Sequence, residues 1–196
     1  MANKDSAFGC KPVRMMGGAP YSGGQSRYRI ASGATTPIFQ GDLVTQLTAG
    51  VLGRHAATGT VPIVGVFNGV SYTDPTTGEQ VFKNYYPGSI VASDIVANVI
   101  DDPNTLFLVD SDEAMTRAGL FIGYKTTNVT GNTATGISKV QLDTSTADST
   151  NAIPLQAVDI SQDVNNEDTA TANTNVVVRI QNHFLNPPSA AADTGV

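Results

Sequence analysis

The chain has 196 residues, a formal net charge of −6 and 14% charged residues, well below the roughly 25% of typical globular proteins. No apolar run approaches the roughly 18 residues of a membrane-spanning helix, and the single Cys10 cannot form an internal disulfide. The beginning of the chain lacks the apolar stretch of a signal peptide, so we expect synthesis in a reducing cytoplasm and no membrane partner. Recurring β-branched residues among Gly, Asn, Ser and Thr predict strands and turns.

Residues 1–26 are predicted to form an extended N-terminal arm. Their glycines make a helix costly, and Pro12 and Pro20 remove backbone donors. The first 30 residues carry a net charge of +4 and the rest −10, because five of the eleven basic residues but only one of the seventeen acidic residues precede residue 31. Such a charge division often marks an interaction tail. We therefore expect the arm to gain its order by lying against another polypeptide.

The body, residues 27–186, consists of short strand-like stretches separated by turn signals. DPTTGE (74–79) predicts a hairpin turn, because Pro75 presets its dihedral angle and Gly78 can adopt a positive φ. No convincing linker divides the body, and a second small lobe after residue 110 is an alternative. The predicted strands are RYRIA (27–31), DLVTQL (42–47), VPIVGVFNGVSY (61–72), QVFKNYY (80–86), DIVANVI (94–100), TLFLV (105–109), GLFIGYK (119–125), ISKVQL (137–142), IPLQAVDI (153–160) and NVVVRIQNHF (175–184).

One stretch, DSDEAMTRAGL (110–120), is predicted to be helical over two turns at most, with its clustered carboxylates favoured by the helix dipole. The polar stretches 128–136 and 165–175 are predicted to be exposed loops or hairpin tips, and residues 187–196 a loose C-terminal tail. The expected fold is therefore mainly β. It has a small β-barrel or sandwich-like body, an extended N-terminal arm and at most one short helix.

The apolar residues of PIVGVFNGV (62–70) predict a core strand whose side chains alternate between two faces. Within it, Gly65 and Gly69 are expected to mark a bend or a close backbone approach. Three aromatic residues that follow are expected in the core or at a subunit interface: Phe82, Tyr85 and Tyr86. The alternation assigns to one face of the strand Ile63, Gly65, Phe67 and Gly69.

No motif for catalysis or cofactor binding stands out. The glycines of residues 17–26 lack the lysine and the following helix that a phosphate-binding loop needs. His55 and His183 lie far apart and lack a cysteine partner, so we expect surface or half-buried residues and no metal site. DVNNED (163–168) lacks the glycine of a calcium loop and is predicted to be a polar turn. We predict no catalytic residues, no cofactor and no enzyme activity.

The stretch Arg27-Tyr28-Arg29 allows two interpretations. An aromatic ring between cationic side chains can stack on a base and bind phosphates. The same alternation is typical of a strand with one face in the core and the other in solvent. Because sixteen carboxylates follow the five basic residues of this region, nucleic acid is the less favoured partner.

Four stretches of the sequence together carry a resemblance to a known family. These are the glycine-rich opening FGCKPVRMMGGAPYSGGQSRYRIA (8–31), followed by GDLVTQL (41–47), PIVGVFNGVSY (62–72) and YYPGS (85–89). They resemble head decoration, or cement, proteins of tailed bacteriophages, and the opening is similar to structural proteins of phages of aquatic bacteria. The likeness extends over about residues 8–110.

The resemblance implies a protein without catalytic activity on the exterior of the virion capsid, made in the host cytoplasm. It implies binding to the major capsid protein as a homotrimer that braces the shell, with no nucleic acid or membrane partner. A tail or head-tail component and a carbohydrate- or surface-binding β module are the alternatives. Edge strands are also able to pair with a partner. The residues expected to bind the capsid or a neighbouring subunit are Arg14, Met15, Met16, Tyr21, Arg27, Tyr28, Arg29 and Ile30.

Overall fold

The structure is a computed structural model that describes residues 3, 6–57, 61–149, 153–163, 166 and 169–186. Two antiparallel sheets of six strands each form the body, which confirms the predicted mainly β, sandwich-like fold. Among the described residues no helix is long and apolar enough to cross a membrane. The predicted loose tail, 187–196, lies outside the described residues.

Sheet I combines one strand from the N-terminal arm with the strands after residue 104. Its members are β1 (Lys11–Met15), β8 (Thr105–Asp110), β9 (Gly123–Thr126), β10 (Leu142–Asp148), β11 (Leu155–Ile160) and β12 (Asn175–Ile180). Their order across the sheet is β1-β8-β12-β11-β9-β10. The strands after residue 110 thus share one sheet with β1 and β8.

Sheet II is built from one continuous part of the chain. Its members are β2 (Ser26–Arg29), β3 (Leu43–Gln46), β4 (Leu52–Arg54), β5 (Ile63–Thr73), β6 (Gln80–Lys83) and β7 (Val96–Ile100). The order is β2-β7-β5-β3-β4, and β6 pairs with the far end of β5. The β5–β6 connection is the predicted turn, in which Asp74 N–H donates to the Glu79 carbonyl (2.8 Å) and Gly78 has φ 73°.

Two hydrophobic cores hold the sheets. The inter-sheet core lies between them and joins residues such as Phe107 and Val178 of sheet I to Ile63 and Ile100 of sheet II. The outer core covers the opposite face of sheet II. There, loop residues including Ile38, Tyr86 and Ile95 pack against the strand residues Val44, Val64, Phe67 and Val99. Because both its faces are covered, the middle of sheet II is buried.

The long strand β5 does not keep the predicted faces. Ile63 and Val66 point into the inter-sheet core, whereas Val64 and Phe67 point into the outer core. The assignment of Ile63 and Phe67 to one face was therefore wrong. Register shifts against β3 and β7 mark two irregularities in β5 that reverse the alternation.

Both glycines of β5 act as expected. A Cβ on Gly65 would overlap the carbonyl oxygen of Ile100, so the neighbouring backbone approaches too closely for any side chain. Gly69 has φ 134°, at the second irregularity, in a region that side chains rarely allow. The two glycines therefore located the special positions of the strand, whereas strict alternation did not predict its change of phase.

The predicted helix at 110–120 is absent. Asp110 ends β8, and only a 3-10 turn at Arg117–Gly119 follows. The polar side chains instead bond locally: Ser111 Oγ donates to the Glu113 carbonyl (2.6 Å), and Asp112 Oδ1 accepts from Thr144 N–H (3.0 Å). Such bonds compete with the helical pattern, which explains the wrong prediction.

Other local expectations met mixed outcomes. Residues 128–136 do form a mostly exposed loop with a tight turn, closed by Asn132 N–H donating to the Ile137 carbonyl (2.9 Å). The expected strand 137–142 is not formed before Leu142, and β1 and β4 were missed. Residues 165–175 lie partly outside the described residues.

Candidate interaction surface

The first part of the arm, here called the arm base (Gly9–Met15), is ordered by its own chain. Strand β1 pairs with β8, and Cys10 N–H donates to the Gly41 carbonyl (2.9 Å). Gly9 has φ 70°, and a Cβ there would lie 2.6 Å from the Cβ of Ser138. The expectation that the whole arm depends on another polypeptide for its order is therefore wrong for the arm base.

A buried ion pair lies beside the arm base. The Asp42 carboxylate contacts Arg54 Nε (3.1 Å), and its side chain is fully buried. It also accepts from Ser138 Oγ (2.6 Å) and from Phe39 N–H (2.9 Å). Burial raises the pKa of Asp42, and the Arg54 guanidinium and these donors oppose the rise. Ser138 thus joins this network to Gly9.

The second part of the arm, here called the arm loop (Met16–Gln25), is exposed except at Tyr21. It begins with a tight turn, in which Met15 N–H donates to the Ala19 carbonyl (2.8 Å). The Tyr21 ring packs against the inter-sheet core, and its hydroxyl donates to the Gly24 carbonyl (2.9 Å). Gln25 Oε1 accepts from Asn68 Nδ2 (3.1 Å). The loop is thus tied at its middle and its end and otherwise faces solvent.

The remaining predicted arm residues lie at the junction of base and loop. Arg14 Nη2 lies 3.9 Å from Asp159 Oδ2, with both side chains over 40% exposed (48% and 42%). Met15 is half-buried and accepts a bond from Thr105 Oγ1 (3.6 Å), whereas Met16 is 45% exposed. Arg14 and Met16 therefore present an exposed cation and an exposed apolar side chain two residues apart in the chain.

Strand β2 confirms the strand interpretation of the Arg-Tyr-Arg stretch. Arg27 and Arg29 are exposed, and Tyr28 between them is half-buried. The Tyr28 hydroxyl donates to Asp101 Oδ2 (2.7 Å), and burial together with this bond raises the pKa of Tyr28 to about 12. Ile30 is only 4% exposed in the outer core, so it cannot contact a partner while the protein is folded.

The two arginines lie on a part of sheet II that sheet I does not cover, here called the open face. Paired residues share a face in an antiparallel sheet, and Arg29 pairs with Val96, Val96 with Ser71, and Ser71 with Phe82. Phe82 is 72% exposed. The open face therefore presents one row of cation, aliphatic, hydroxyl and aromatic side chains. Arg27 follows in the next row, where it pairs with Asn98.

The three aromatics predicted for the core or an interface thus lie in different places. Tyr86 is fully buried in the outer core. Tyr85 stacks on Phe39 with ring centroids 5.4 Å apart and planes 2° from parallel. Phe82 lies outside the core and is exposed. The sequence alone did not reveal this difference from Tyr86.

A cleft of about 450 Å³ lies where the arm base crosses sheet II. Cys10, Pro12 and Ile100 contribute to its walls, and Gln40 and Asn68, which are joined by a hydrogen bond (2.8 Å), contribute amides. Burial raises the pKa of the Cys10 thiol to about 12. The thiol therefore stays protonated at neutral pH and is a poor nucleophile.

The histidines do not lie where we expected them. His55 is 6% and His183 1% exposed, so the prediction of surface or half-buried positions was wrong. His183 Nδ1 accepts from Leu185 N–H (3.0 Å), and burial lowers the pKa of its imidazole, although Asp101 and Asp102 oppose this. Both residues lie shortly after the end of a strand. His55 bonds through its backbone to β3, and His183 pairs with β5, which is distant from it in sequence.

Within the described part of the chain, no group of three or more His, Cys, Asp or Glu side chains is placed to hold a metal ion. In the calcium-like stretch 163–168 the structure describes Asp163 and Asn166. Asn166 Nδ2 donates to the carbonyls of Ser161 and Asn175 (both 2.9 Å), and its Oδ1 accepts from Asn175 N–H (2.7 Å). This side chain closes a loop.

The outermost strands are poorly suited to pairing with a further strand. β1 contains Pro12 and an irregularity at Val13, and β10 breaks register between Asp143 and Asp148. β4 has three residues and β2 four. Prolines, bulges, charges and short length are the usual protections of an edge. Contacts to a partner are therefore favoured through side chains and loops.

Comparisons with family models, with curated proteins and with solved structures find no match to this chain.

Proposed function

We propose that the protein is a virion protein of a tailed bacteriophage that binds the outer surface of the assembled capsid as a decoration protein. As a homotrimer it would contact the major capsid protein and stabilise the shell by bridging its subunits. The resemblance of the sequence motifs to those of such proteins supports this role, and so does a β body whose exposed features include loops and apolar side chains.

The observation on which the proposal depends is the division of the arm into a fixed base and an exposed loop. The base is held by β8 and by Gly41, so the loop is presented from a rigid support. A loop held in this way loses little conformational entropy on binding. Met16, 45% exposed, can then bury its apolar surface at about 25 cal/mol per Å².

Electrostatics favour the same surface. Arg14 is exposed at the start of the arm loop, and its partner Asp159 is 3.9 Å away with both side chains largely in solvent. Such an exposed pair contributes little and exchanges readily for another carboxylate. A bidentate contact from Arg14 to an acidic residue of the capsid would add specificity to the apolar contact of Met16.

The test is co-sedimentation of the protein with undecorated heads of the phage that encodes it. Deleting residues 1–26 would remove β1 and the first residue of β2, so point substitutions are more informative. We expect the variant Arg14→Glu/Met16→Ser to lose binding. The matched control Lys139→Glu/Val61→Ser replaces an exposed cation and an equally exposed apolar residue elsewhere and should bind as the wild type does.

Absence of binding by the wild-type protein would refute the decoration function. Equal binding by the arm variant and the control would instead leave the function standing and remove the arm loop from the contact.

A further inference from the structure

The open face of sheet II combines features of a protein-binding surface. Arg27 is exposed and forms no ion pair within the described part of the chain, and Arg29 Nη1 donates only to the Ser93 carbonyl (2.6 Å). Hydrogen bonds from Thr73 Oγ1 and N–H lower the pKa of the Asp94 carboxyl, and the charge of Arg29 lowers it further, so Asp94 interacts with Arg29 and leaves Arg27 without an ion-pair partner among the described residues. The face therefore has a positive balance and an arginine free to bind a carboxylate.

The same face offers an apolar contact. Phe82 is 72% exposed at the end of the row that Arg29 begins, with the half-buried Val96 between them. Arginine and aromatic residues are the residue types that contribute most to protein interfaces. A neighbour that covers this row would bury the Phe82 ring. It would also place its carboxylates opposite the guanidinium groups of Arg27 and Arg29.

A complementary surface exists at the far edge of sheet I, where β10 lies at the opposite end from β1. Asp112, Glu113 and Asp143, here called the acidic patch, lie close together there: Asp112 N–H donates to the Leu142 carbonyl (3.0 Å), and Asp143 follows in the chain. Glu113 is exposed. Lys125 lies opposite Asp143 in the strand register. One cation thus faces three carboxylates, and the patch is negative.

We propose that the open face of one copy binds the acidic patch of a second copy. The open face and the acidic patch are two different surfaces, so one such contact uses one surface of each copy and leaves the other surface of each copy uncovered. The contact is therefore head-to-tail, and head-to-tail contacts generate closed rings or open chains of subunits. The inference extends the proposed function by giving the expected self-association a surface, and it can be tested without a capsid.

The experiment is sedimentation velocity of the full chain over a range of concentrations at low and high salt. We expect the wild type to associate to a multiple of 20.4 kDa and to dissociate as salt rises. Arg27→Glu/Arg29→Glu should raise the dissociation constant on the order of 100-fold, about tenfold for each reversed charge. Lys139→Glu replaces an exposed cation that belongs to neither surface and should leave it unchanged.

A charge swap separates this contact from a general effect of net charge. The fourfold variant Arg27→Glu/Arg29→Glu/Glu113→Lys/Asp143→Lys restores opposite charges across the contact and should associate again. Circular dichroism of each variant confirms folding, and the neutral pair Arg27→Gln/Arg29→Gln gives a second, milder loss. A monomeric wild type, undiminished association of the double variant, or no recovery by the fourfold variant would overturn the inference. Binding of wild-type monomers to heads would overturn it and leave the decoration function intact.

Discussion

The arm base and the arm loop are adjacent in the chain, yet only the arm base enters a sheet. Residues 9–15 enter sheet I and pack beside a buried ion pair, whereas residues 16–25 remain exposed around a single anchoring ring, Tyr21. Neither segment has a periodic pattern of apolar residues. The order of the arm base therefore comes from segments far away in sequence, chiefly β8, Gly41 and Ser138.

The largest effect on stability is expected from removing the ion pair beside the arm base. Asp42→Ala leaves Arg54 without its buried partner, and we expect a loss of about 4 kcal/mol in the free energy of unfolding. Asp159→Ala removes the exposed partner of Arg14 and should cost less than about 1 kcal/mol. Urea unfolding measures both. Similar losses for the two variants would show that the buried network does not anchor the arm base.

A second test compares two glycines of the arm. Gly9→Ala would place a methyl group 2.6 Å from the Ser138 side chain at φ 70°. Strain and overlap should cost about 2 kcal/mol. Gly17 has no atom within 4 Å of an added Cβ, so Gly17→Ala should change stability by less than about 0.5 kcal/mol. Thermal unfolding measures the stability of both variants. An unchanged stability of Gly9→Ala would contradict the tight packing of the arm base.

The smallest expected effect concerns strand β2, which follows the arm loop, and depends on pH. The pKa of Tyr28 is raised to about 12, above the ordinary value of 10.0. Between these values the folded protein keeps the phenol proton that the unfolded chain loses, so stability falls as pH rises from 10 to 12. Tyr28→Phe should cost about 1 kcal/mol at pH 7 through its lost hydrogen bond to Asp101 and should lack this part of the alkaline loss.

Denaturant unfolding of wild type and Tyr28→Phe at pH 7, 9 and 11 follows the difference between them. We expect the difference to shrink at the highest pH. A constant difference would show that the Asp101 contact does not control the ionisation of Tyr28.

Elements whose pattern is local could be predicted from the sequence. Strands such as β8 and β12 are apolar runs, and the turn at 74–79 contains its own proline and glycine, so each could be located from neighbouring residues. β1 and β4 were missed because Lys11–Met15 and Leu52–Arg54 have no apolar alternation and become strands only by pairing with distant ones. The reversal of faces in β5 was missed for a related reason, since bulges interrupt a pattern without a signature of their own.

The candidate surface shows the same division. The alternation of Arg27, Tyr28 and Arg29 predicted which side chains face solvent, because one strand contains the whole signal. The burial of Ile30 and the exposure of Phe82 depend on which loops cover which end of sheet II, and no short stretch of sequence records that.

The arrangement of the two sheets also has a consequence for biosynthesis. Sheet II and its outer core use only residues 26–100, so they can assemble while the second half of the chain is still being made. Strand β8 completes its pairing later. Its neighbour β1 precedes it in the chain, but its other neighbour, β12, ends only at Ile180. On the ribosome the arm base therefore stays without its complete sheet until β12 has been made, and only then does the arm loop acquire the support from which it is presented.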